Sequence, residues 1–391
     1  MLTSRRLYGL IGAALLLSVV ALTPRVDAEA RAKRCGSSAP YGQEVDRPGQ
    51  PDPLLPRQWG LDQIDAHEAW HLGATGEDVT IALIDTGVDL THPDLDDNIV
   101  PGIDLLPERG VCPGPQDEHD PEQGLLTHGT TVAGVLAAEA RNGMGVRGVA
   151  YDADILPIRS TTGTAFPFYP VDPSEPERLI AAIEHAVERA AEVILIEVAI
   201  AAIDDPDLER RVGQAIERAW NAGAVLVAPS VNASAPSCFY PASDEHVLCA
   251  AATDHEGAPA SYSSLPNSHR ALNAVRAPGG FDDPMAMFFR EQAGASDVEC
   301  QDHNVWTTIL PVDPTWGCDL GAYDALSGTS YAAPLVAGVA AMLAQSGATN
   351  DEIVRCITST ALNPVTGLRG TYEPTYGYGI LDADDAVRAC R

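Results

Sequence analysis

Three polar residues could together carry out nucleophilic chemistry. Asp85 directly follows the apolar run 79–84, which is typical of a buried strand, and His128 and Ser330 each lie where a helix is predicted to begin. A carboxylate can orient an imidazole, the imidazole can take the proton of a hydroxyl, and that hydroxyl can attack a carbonyl carbon. Taken singly, the three residues have simpler explanations: a turn residue, a structural histidine and a helix cap. Together they indicate a serine nucleophile with its own base.

Alternating strands and helices must position these residues. Strands are predicted over 79–84, 155–158, 193–200, 224–228 and 247–252, and helices over 131–140, 177–191, 208–222 and 335–345. This alternation predicts a single-domain α/β fold that is doubly wound, with a mostly parallel central sheet and helices on both faces. In such sheets, reactive residues lie at the carboxyl ends of the strands. Residues 280–325 do not follow the pattern, and we expect them to form a long surface excursion.

The chain is predicted to begin with a targeting segment. Arg5 and Arg6 precede an apolar run, and small residues around Ala28 resemble a cleavage site, so residues 1–28 are interpreted as a signal peptide. Residues 29–57 would form a short lead-in, and residues 58–391 the folded domain. The alternative is an uncleaved membrane anchor, although the run is short for a span of about 20 residues. We therefore expect a secreted protein with no stable membrane insertion once the signal is removed.

The composition narrows the range of partners. The chain has 24 Lys and Arg against 55 Asp and Glu, a net charge of −31. Binding to nucleic acid requires clustered cations, so nucleic acid is not an expected partner. No sequence feature specifies the oligomeric state, and a monomer is the default expectation.

The cysteines indicate disulfide bonds. Their number is even, at eight, and an exported protein meets oxidising conditions. The sequence does not determine the connectivity. Closeness in sequence suggests the pairs Cys238–Cys249 and Cys300–Cys318. Attachment of the two chain ends to the domain suggests Cys356–Cys390 and Cys35–Cys112.

The order Asp85, His128, Ser330 and the sequences around these residues resemble the subtilisin-like (subtilase) serine peptidase family. The resemblance rests on Thr86-Gly87, on His128-Gly-Thr130 and on Gly328-Thr-Ser-Tyr-Ala-Ala-Pro334. It implies a subtilisin-like peptidase domain over residues 58–391. It also implies an exported serine endopeptidase that cleaves protein or peptide substrates through an acyl-enzyme, with no cofactor required for the chemistry.

The resemblance also suggests residues that bind the substrate and its transition state. The side chain of Asn232 and the backbone N–H of Ser330 would form the oxyanion hole. Glu197, Val198 and Ala199 occupy the segment that pairs with substrate, where the family typically has a Ser-Leu-Gly-Gly-like stretch, so their side chains add bulk and a carboxylate. Val231 stands where the family usually has Gly, and it would change the turn or narrow the first specificity pocket.

A structural calcium ion is a further expectation from the resemblance. Asp94 and Asn142 match parts of a calcium site that is common in the family, and oxygen ligands on an acidic protein are compatible with Ca²⁺.

Two other functions remain open at this stage. The altered substrate-pairing segment could belong to a catalytically impaired binding protein with a subtilisin fold. More remotely, His67-Glu68-Ala69-Trp70-His71 matches the H-E-x-x-H pattern of zinc metalloproteases, although no third histidine follows at the required spacing.

Overall fold

The fold is described from a computed structural model. The described residues are 47–106, 114–117, 128–162, 174–200, 205–265, 273–284, 301–310 and 321–391. The predicted signal peptide and the first part of the lead-in, residues 29–46, lie outside these ranges.

A seven-stranded parallel sheet forms the centre of the molecule, with strand order β2-β3-β1-β4-β5-β6-β7. Its strands are β1 Thr80–Asp85, β2 Ile103–Asp104, β3 Asp154–Arg159, β4 Val193–Ile196, β5 Val225–Pro229, β6 Val247–Thr253 and β7 Ala274–Pro278. Strands β2 and β3 lie on one side of β1 and strands β4 to β7 on the other, so the topological switch point lies beside β1. The predicted parallel α/β sheet is therefore confirmed.

Helices cover both faces of this sheet, as predicted. In the described residues they are α1 Trp59–Gln63, α2 Ala66–His71, α3 His128–Ala137, α4 Glu175–Glu188, α5 Pro206–Asn221, α6 Thr329–Ala344, α7 Asn350–Thr360 and α8 Ala383–Ala389. Side chains of β1 alternate between the two cores: Ile81 and Leu83 pack with α3 and α6, whereas Ala82 and Ile84 pack with α4 and α5. This alternation fixes which residues can face the cleft at the strand ends.

Part of the region 280–325 differs from the expected surface excursion. Strands β8 Val305–Thr308 and β9 Tyr323–Leu326 form an antiparallel pair. Trp306 is fully buried, and the Thr308 hydroxyl donates to the carbonyl oxygen of Thr130 in α3 at 2.7 Å. The prediction was wrong for these two strands because both are short, and β8 ends in two threonines whose hydroxyls bind the first turn of α3, so no extended apolar pattern marks the pair.

A disulfide fastens the C-terminal end of the chain to the domain. Two of the predicted disulfides, Cys238–Cys249 and Cys356–Cys390, are present. The second joins α7 to the end of α8. The other two predicted pairs, Cys300–Cys318 and Cys35–Cys112, lie outside the described residues. None of the helices in the described ranges has both the length and the hydrophobicity that a bilayer-spanning segment requires.

Candidate active site

Asp85 and His128 are in direct contact. The two Asp85 carboxylate oxygens each lie 2.9 Å from Nδ1 of His128, and Asp85 is almost fully buried at the carboxyl end of β1. The His128 side chain is 32% exposed, so it reaches the cleft. A ring N–H donated to Asp85 leaves Nε2 as the nitrogen that can accept a proton.

The electrostatic surroundings favour the imidazolium form of His128. Burial by itself lowers the pKa of His128. The charge and hydrogen bond of Asp85 act in the opposite direction, together with the charges of Glu197 and Asp117, and the pKa is raised to about 9. Because a third of the side chain remains in contact with solvent, water moderates both effects.

Ser330 lies in the first turn of α6, beside Asn232. Asn232 follows β5, and its Oδ1 accepts hydrogen bonds from the Thr329 backbone N–H at 2.9 Å and from the Thr329 hydroxyl at 3.0 Å. Its amide nitrogen then lies next to Gly328: a Cβ atom on Gly328 would be only 3.3 Å from it. Free N–H groups and the positive end of the dipole at a helix start favour negative charge. This corner of the molecule could therefore stabilise an oxyanion.

The predicted substrate-contact residues line the same edge of the sheet. Val231 has φ of 84°, the left-handed conformation that favours Gly, although it is β-branched. The side chain of Val198 packs in the core under α4 and α5, so only its backbone could contact a substrate. Ala199 is half-buried, and no backbone hydrogen bond to Val198 or Ala199 occurs within the described residues. Both carboxyl oxygens of Glu197 are buried.

Asp117 was missed by the sequence analysis, yet it connects the two motifs of the Asp–His pair. Its carboxylate accepts hydrogen bonds from the Thr86 hydroxyl at 3.0 Å and from the Thr130 N–H and hydroxyl at 3.1 and 2.8 Å. Burial raises its pKa to about 7. It lies in an acidic stretch without periodicity, so nothing in the composition distinguishes it from its neighbours.

The close approach of α3 to the turn after Asp85 also requires a glycine. A Cβ atom on Gly129 would lie 1.9 Å from the carbonyl oxygen of Gly87. The His-Gly-Thr sequence therefore supplies the imidazole and also allows α3 to pack closely against the turn after Asp85.

Asp94 and Asn142, the predicted calcium ligands, do lie together. However, Asp94 Oδ1 accepts from the Asn142 amide at 2.7 Å, Asp94 Oδ2 accepts from the Val146 N–H, and Asn142 Oδ1 accepts from the Met144 N–H. As placed, these groups satisfy one another instead of forming a cation cage, and an ion would have to displace the Asn142 amide. Calcium at this place stays a prediction, which thermal unfolding with added calcium or chelator would test.

The H-E-x-x-H pattern has no metal-site geometry. His67 and His71 lie on the six-residue helix α2, and His67 Nε2 pairs with Asp62 at 3.2 Å. Within the ranges the structure describes, no group of three or more His, Cys, Asp or Glu side chains is arranged to hold a metal ion. The arrangement of these side chains therefore gives no support to the zinc metalloprotease alternative.

Comparison with known proteins decides the family. The model of the subtilase family matches residues 76–379, which is most of the chain. The chain belongs to the subtilase family. It is 32% identical over 338 residues to a thermophilic serine proteinase of Bacillus sp. (strain AK1), covering 84% of this chain and 67% of that protein. It is 30% identical to thermitase of Thermoactinomyces vulgaris, covering 85% of this chain and 96% of thermitase.

A solved structure supports the same assignment. The chain is similar to a protease from Pseudoalteromonas arctica PAMC 21717, with a TM-score of 0.66 and 26% sequence identity over 88% of this chain and all of that one. This subtilase is a serine-type endopeptidase, and protein or peptide is its class of substrate.

The contacts of Asp117 predict a structural role at this site. Replacing Asp117 by Ala leaves the buried donors of Thr86 and Thr130 unpaired, which costs about 1–3 kcal/mol for each unsatisfied group. We expect the free energy of unfolding to fall by at least about 2 kcal/mol, and by less in Asp117→Asn, which keeps one acceptor oxygen. Denaturant unfolding measures the change, in a background of Ser330→Ala because Ser330 is the predicted nucleophile and self-digestion would obscure the result. Asp154→Asn, at the exposed start of β3, is the control, and an equal loss in this variant would contradict the prediction.

Proposed function

We propose that this subtilase hydrolyses peptide bonds through Ser330 as nucleophile, His128 as general base and Asp85 as the group that orients His128. The observation that carries the proposal is the Asp85–His128 contact, in which both carboxylate oxygens lie 2.9 Å from Nδ1. The position of Ser330 at the start of α6, beside Asn232, supports it further.

The reaction proceeds in two halves. The Ser330 hydroxyl attacks the peptide carbonyl carbon while His128 takes the hydroxyl proton, because a neutral hydroxyl is a poor nucleophile. Asp85 stabilises the imidazolium without itself taking the proton. His128 then protonates the leaving amine, and water, activated by the same imidazole, releases the acid from the acyl-enzyme.

Two donors stabilise the tetrahedral intermediate: the side-chain amide of Asn232 and the backbone N–H of Ser330. The hydrogen bonds from Thr329 to Asn232 Oδ1 fix the amide plane before substrate arrives. A preorganised donor of this kind does not have to reorient as charge develops on the oxygen.

Substrate binds as an extended strand along residues 197–199. The backbone groups of Val198 and Ala199, which make no hydrogen bond within the described residues, can pair with it by strand addition, in which main-chain bonds supply affinity and pockets supply specificity. Val231 narrows the pocket for the residue before the cleaved bond. The alternative, a catalytically impaired binding protein with this fold, shares the same groove and differs only in the reactivity of Ser330.

Replacement of the proposed nucleophile tests the mechanism directly. We expect Ser330→Ala to lose hydrolysis of unfolded protein and of small esters, and to lose labelling by a fluorophosphonate. Peptide mapping of the labelled wild type should place the tag on Ser330. Ser327→Ala is a matched control in the same segment, since the Ser327 hydroxyl donates to the Asp282 carbonyl oxygen at 2.6 Å. Equal hydrolysis by wild type and Ser330→Ala would end this proposal, and an unlabelled wild type would favour the impaired binding protein.

If Asn232 stabilises the oxyanion, its removal should slow the chemical step without weakening substrate binding. Removing a side-chain donor from an oxyanion hole costs about 3 kcal/mol of barrier, so Asn232→Ala should lower kcat by about 10²–10³ with little change in KM. Steady-state kinetics on a peptide substrate measure both constants, with Asn221→Ala at the exposed end of α5 as the control. A rise in KM at constant kcat would contradict the assignment.

We infer that the protein is exported by its N-terminal segment. The charged start and the apolar run before Ala28, together with the disulfides Cys238–Cys249 and Cys356–Cys390, support an extracellular location. N-terminal sequencing of the protein recovered outside the cell should give a chain that begins shortly after Ala28. A chain that retains residues 1–28 and fractionates with membranes would favour the uncleaved anchor instead.

A further inference from the structure

Glu197 carries a carboxyl group that the mechanism above does not use. Its backbone N–H donates to the Ile84 carbonyl oxygen at 3.0 Å, which extends the pairing of β4 with β1 and places Glu197 beside the end of β1. The side chain of Val198 enters the core, so that of Glu197 points to the opposite face of the strand. Glu197 therefore faces the interior of the active site.

The Glu197 carboxyl group is buried, and neither of its oxygens is accessible to solvent. Within the part of the chain that the structure describes, neither oxygen makes a hydrogen bond of normal geometry. Burial raises the pKa of this carboxyl group well above its ordinary value, and the neighbouring charge of His128 and hydroxyl of Ser330 offset this rise only in part. Buried, unpaired carboxyl groups are costly, so this position calls for an explanation.

The groups around the carboxyl are mostly acidic. Asp85 at the end of β1 and Asp117 in the described segment 114–117 add negative charge to the site, and His128 at the start of α3 is the cation among them. Two further titratable groups face the site from α6 and β9: the phenol of Tyr331 and the carboxyl group of Asp324. The Tyr331 phenol lies 3.2 Å from the Thr131 hydroxyl. Several carboxyl groups thus surround the imidazole of His128 and favour its protonated form. The imidazole must, however, be neutral to act as the proposed base.

We propose that Glu197 is a positioning residue of the active site: its carboxyl group holds the Ser330 hydroxyl and the His128 imidazolium in a resting arrangement, and so restrains hydrolysis at neutral pH. This inference rests on the proposed roles of Ser330 and His128. In the resting arrangement, the Ser330 hydroxyl is directed to Glu197, and one proton is held between Glu197 and His128. Loss of that proton at higher pH frees the imidazole to accept the proton of Ser330.

The test is the pH dependence of Ser330 reactivity in Glu197→Gln. Removing a negative charge near an imidazole lowers its pKa by about 1–3 units. We therefore expect the acid limb of the profile for fluorophosphonate labelling of Ser330 to move down by about one pH unit or more. At pH values below the limb, labelling should be faster by about tenfold or more, since each pH unit corresponds to a factor of ten. The rate is measured from pH 5 to pH 10 on the full-length exported protein.

Two further variants keep the test decisive. Glu192→Gln makes the same chemical change at the opposite end of β4, where the Glu192 carboxylate accepts the Thr80 N–H, and it should leave the limb in place. Glu197→Ser replaces the carboxyl by a small hydroxyl and should move the limb in the same direction as Glu197→Gln. If neither Glu197 variant folds, the carboxyl is a structural requirement and the proposal is overturned.

The remaining outcomes separate this proposal from its rivals. If the acid limb of the labelling profile stays in place or moves to higher pH in Glu197→Gln, the proposal that Glu197 restrains hydrolysis is overturned. Selective loss of cleavage after Arg, with unchanged cleavage after Phe, would make Glu197 a specificity residue for basic substrates instead. Absence of any label on Ser330 in the wild type would defeat the proposed function itself, whereas a labelled Ser330 with an unmoved limb would defeat only the restraint.

Discussion

The hydrogen bond between Asp85 and His128 is the interaction on which the rest of the site depends. A carboxylate that is almost fully buried must be paired, and here the imidazole N–H of His128 and the backbone N–H of Thr86 donate to it. That pairing requires α3 to begin directly against the turn after β1, which only a residue without a side chain permits at Gly129. Asp117 completes the constraint because its carboxylate binds both Thr86 in the turn and Thr130 in the helix. The turn and the helix are thereby held as one unit.

The sheet brings the remaining groups to the same edge. Strands β1, β4 and β5 are neighbours in the parallel sheet, so Asp85, Glu197 and Asn232 all follow strand ends on one side of the molecule. Helix α6 is buried along nearly its whole length, and its first turn emerges at this edge. The small residues that dominate α6 allow it to lie close to the sheet. The sheet topology therefore determines which segments meet, and the local turns determine how their side chains are directed.

The sequence was most informative where chemistry and local structure require the same residues. Asp85, His128 and Ser330 could be proposed as site residues because each combines a reactive side chain with a strand end or helix start and with neighbouring small residues. Asp117 could not be identified, since its partners are brought to it only by the fold. The direction of the Glu197 side chain was equally inaccessible, because it depends on strand register and on the entry of Val198 into the core. The ribbon of β8 and β9 was missed for a related reason: its hydroxyls bind a helix that lies far away in sequence.

The carboxyl groups around His128 also link the stability of the site to its reactivity. The pKa of His128 is raised from 6.5 to about 9, so its contribution to the free energy of unfolding is complete below pH 6.5 and is lost as the pH rises through about 9. The pKa of Asp117 is raised from 3.8 to about 7, and its contribution is likewise lost between these values as the pH rises. The contribution of Glu197 to the free energy of unfolding also falls as the pH rises, because burial favours its protonated form. The protons that stabilise this site are therefore lost as the pH rises, whereas the proposed role of Ser330 as nucleophile requires an unprotonated imidazole. Protonation thus favours the folded form of this site at the same pH values at which it would hold His128, the proposed base, in its inactive form.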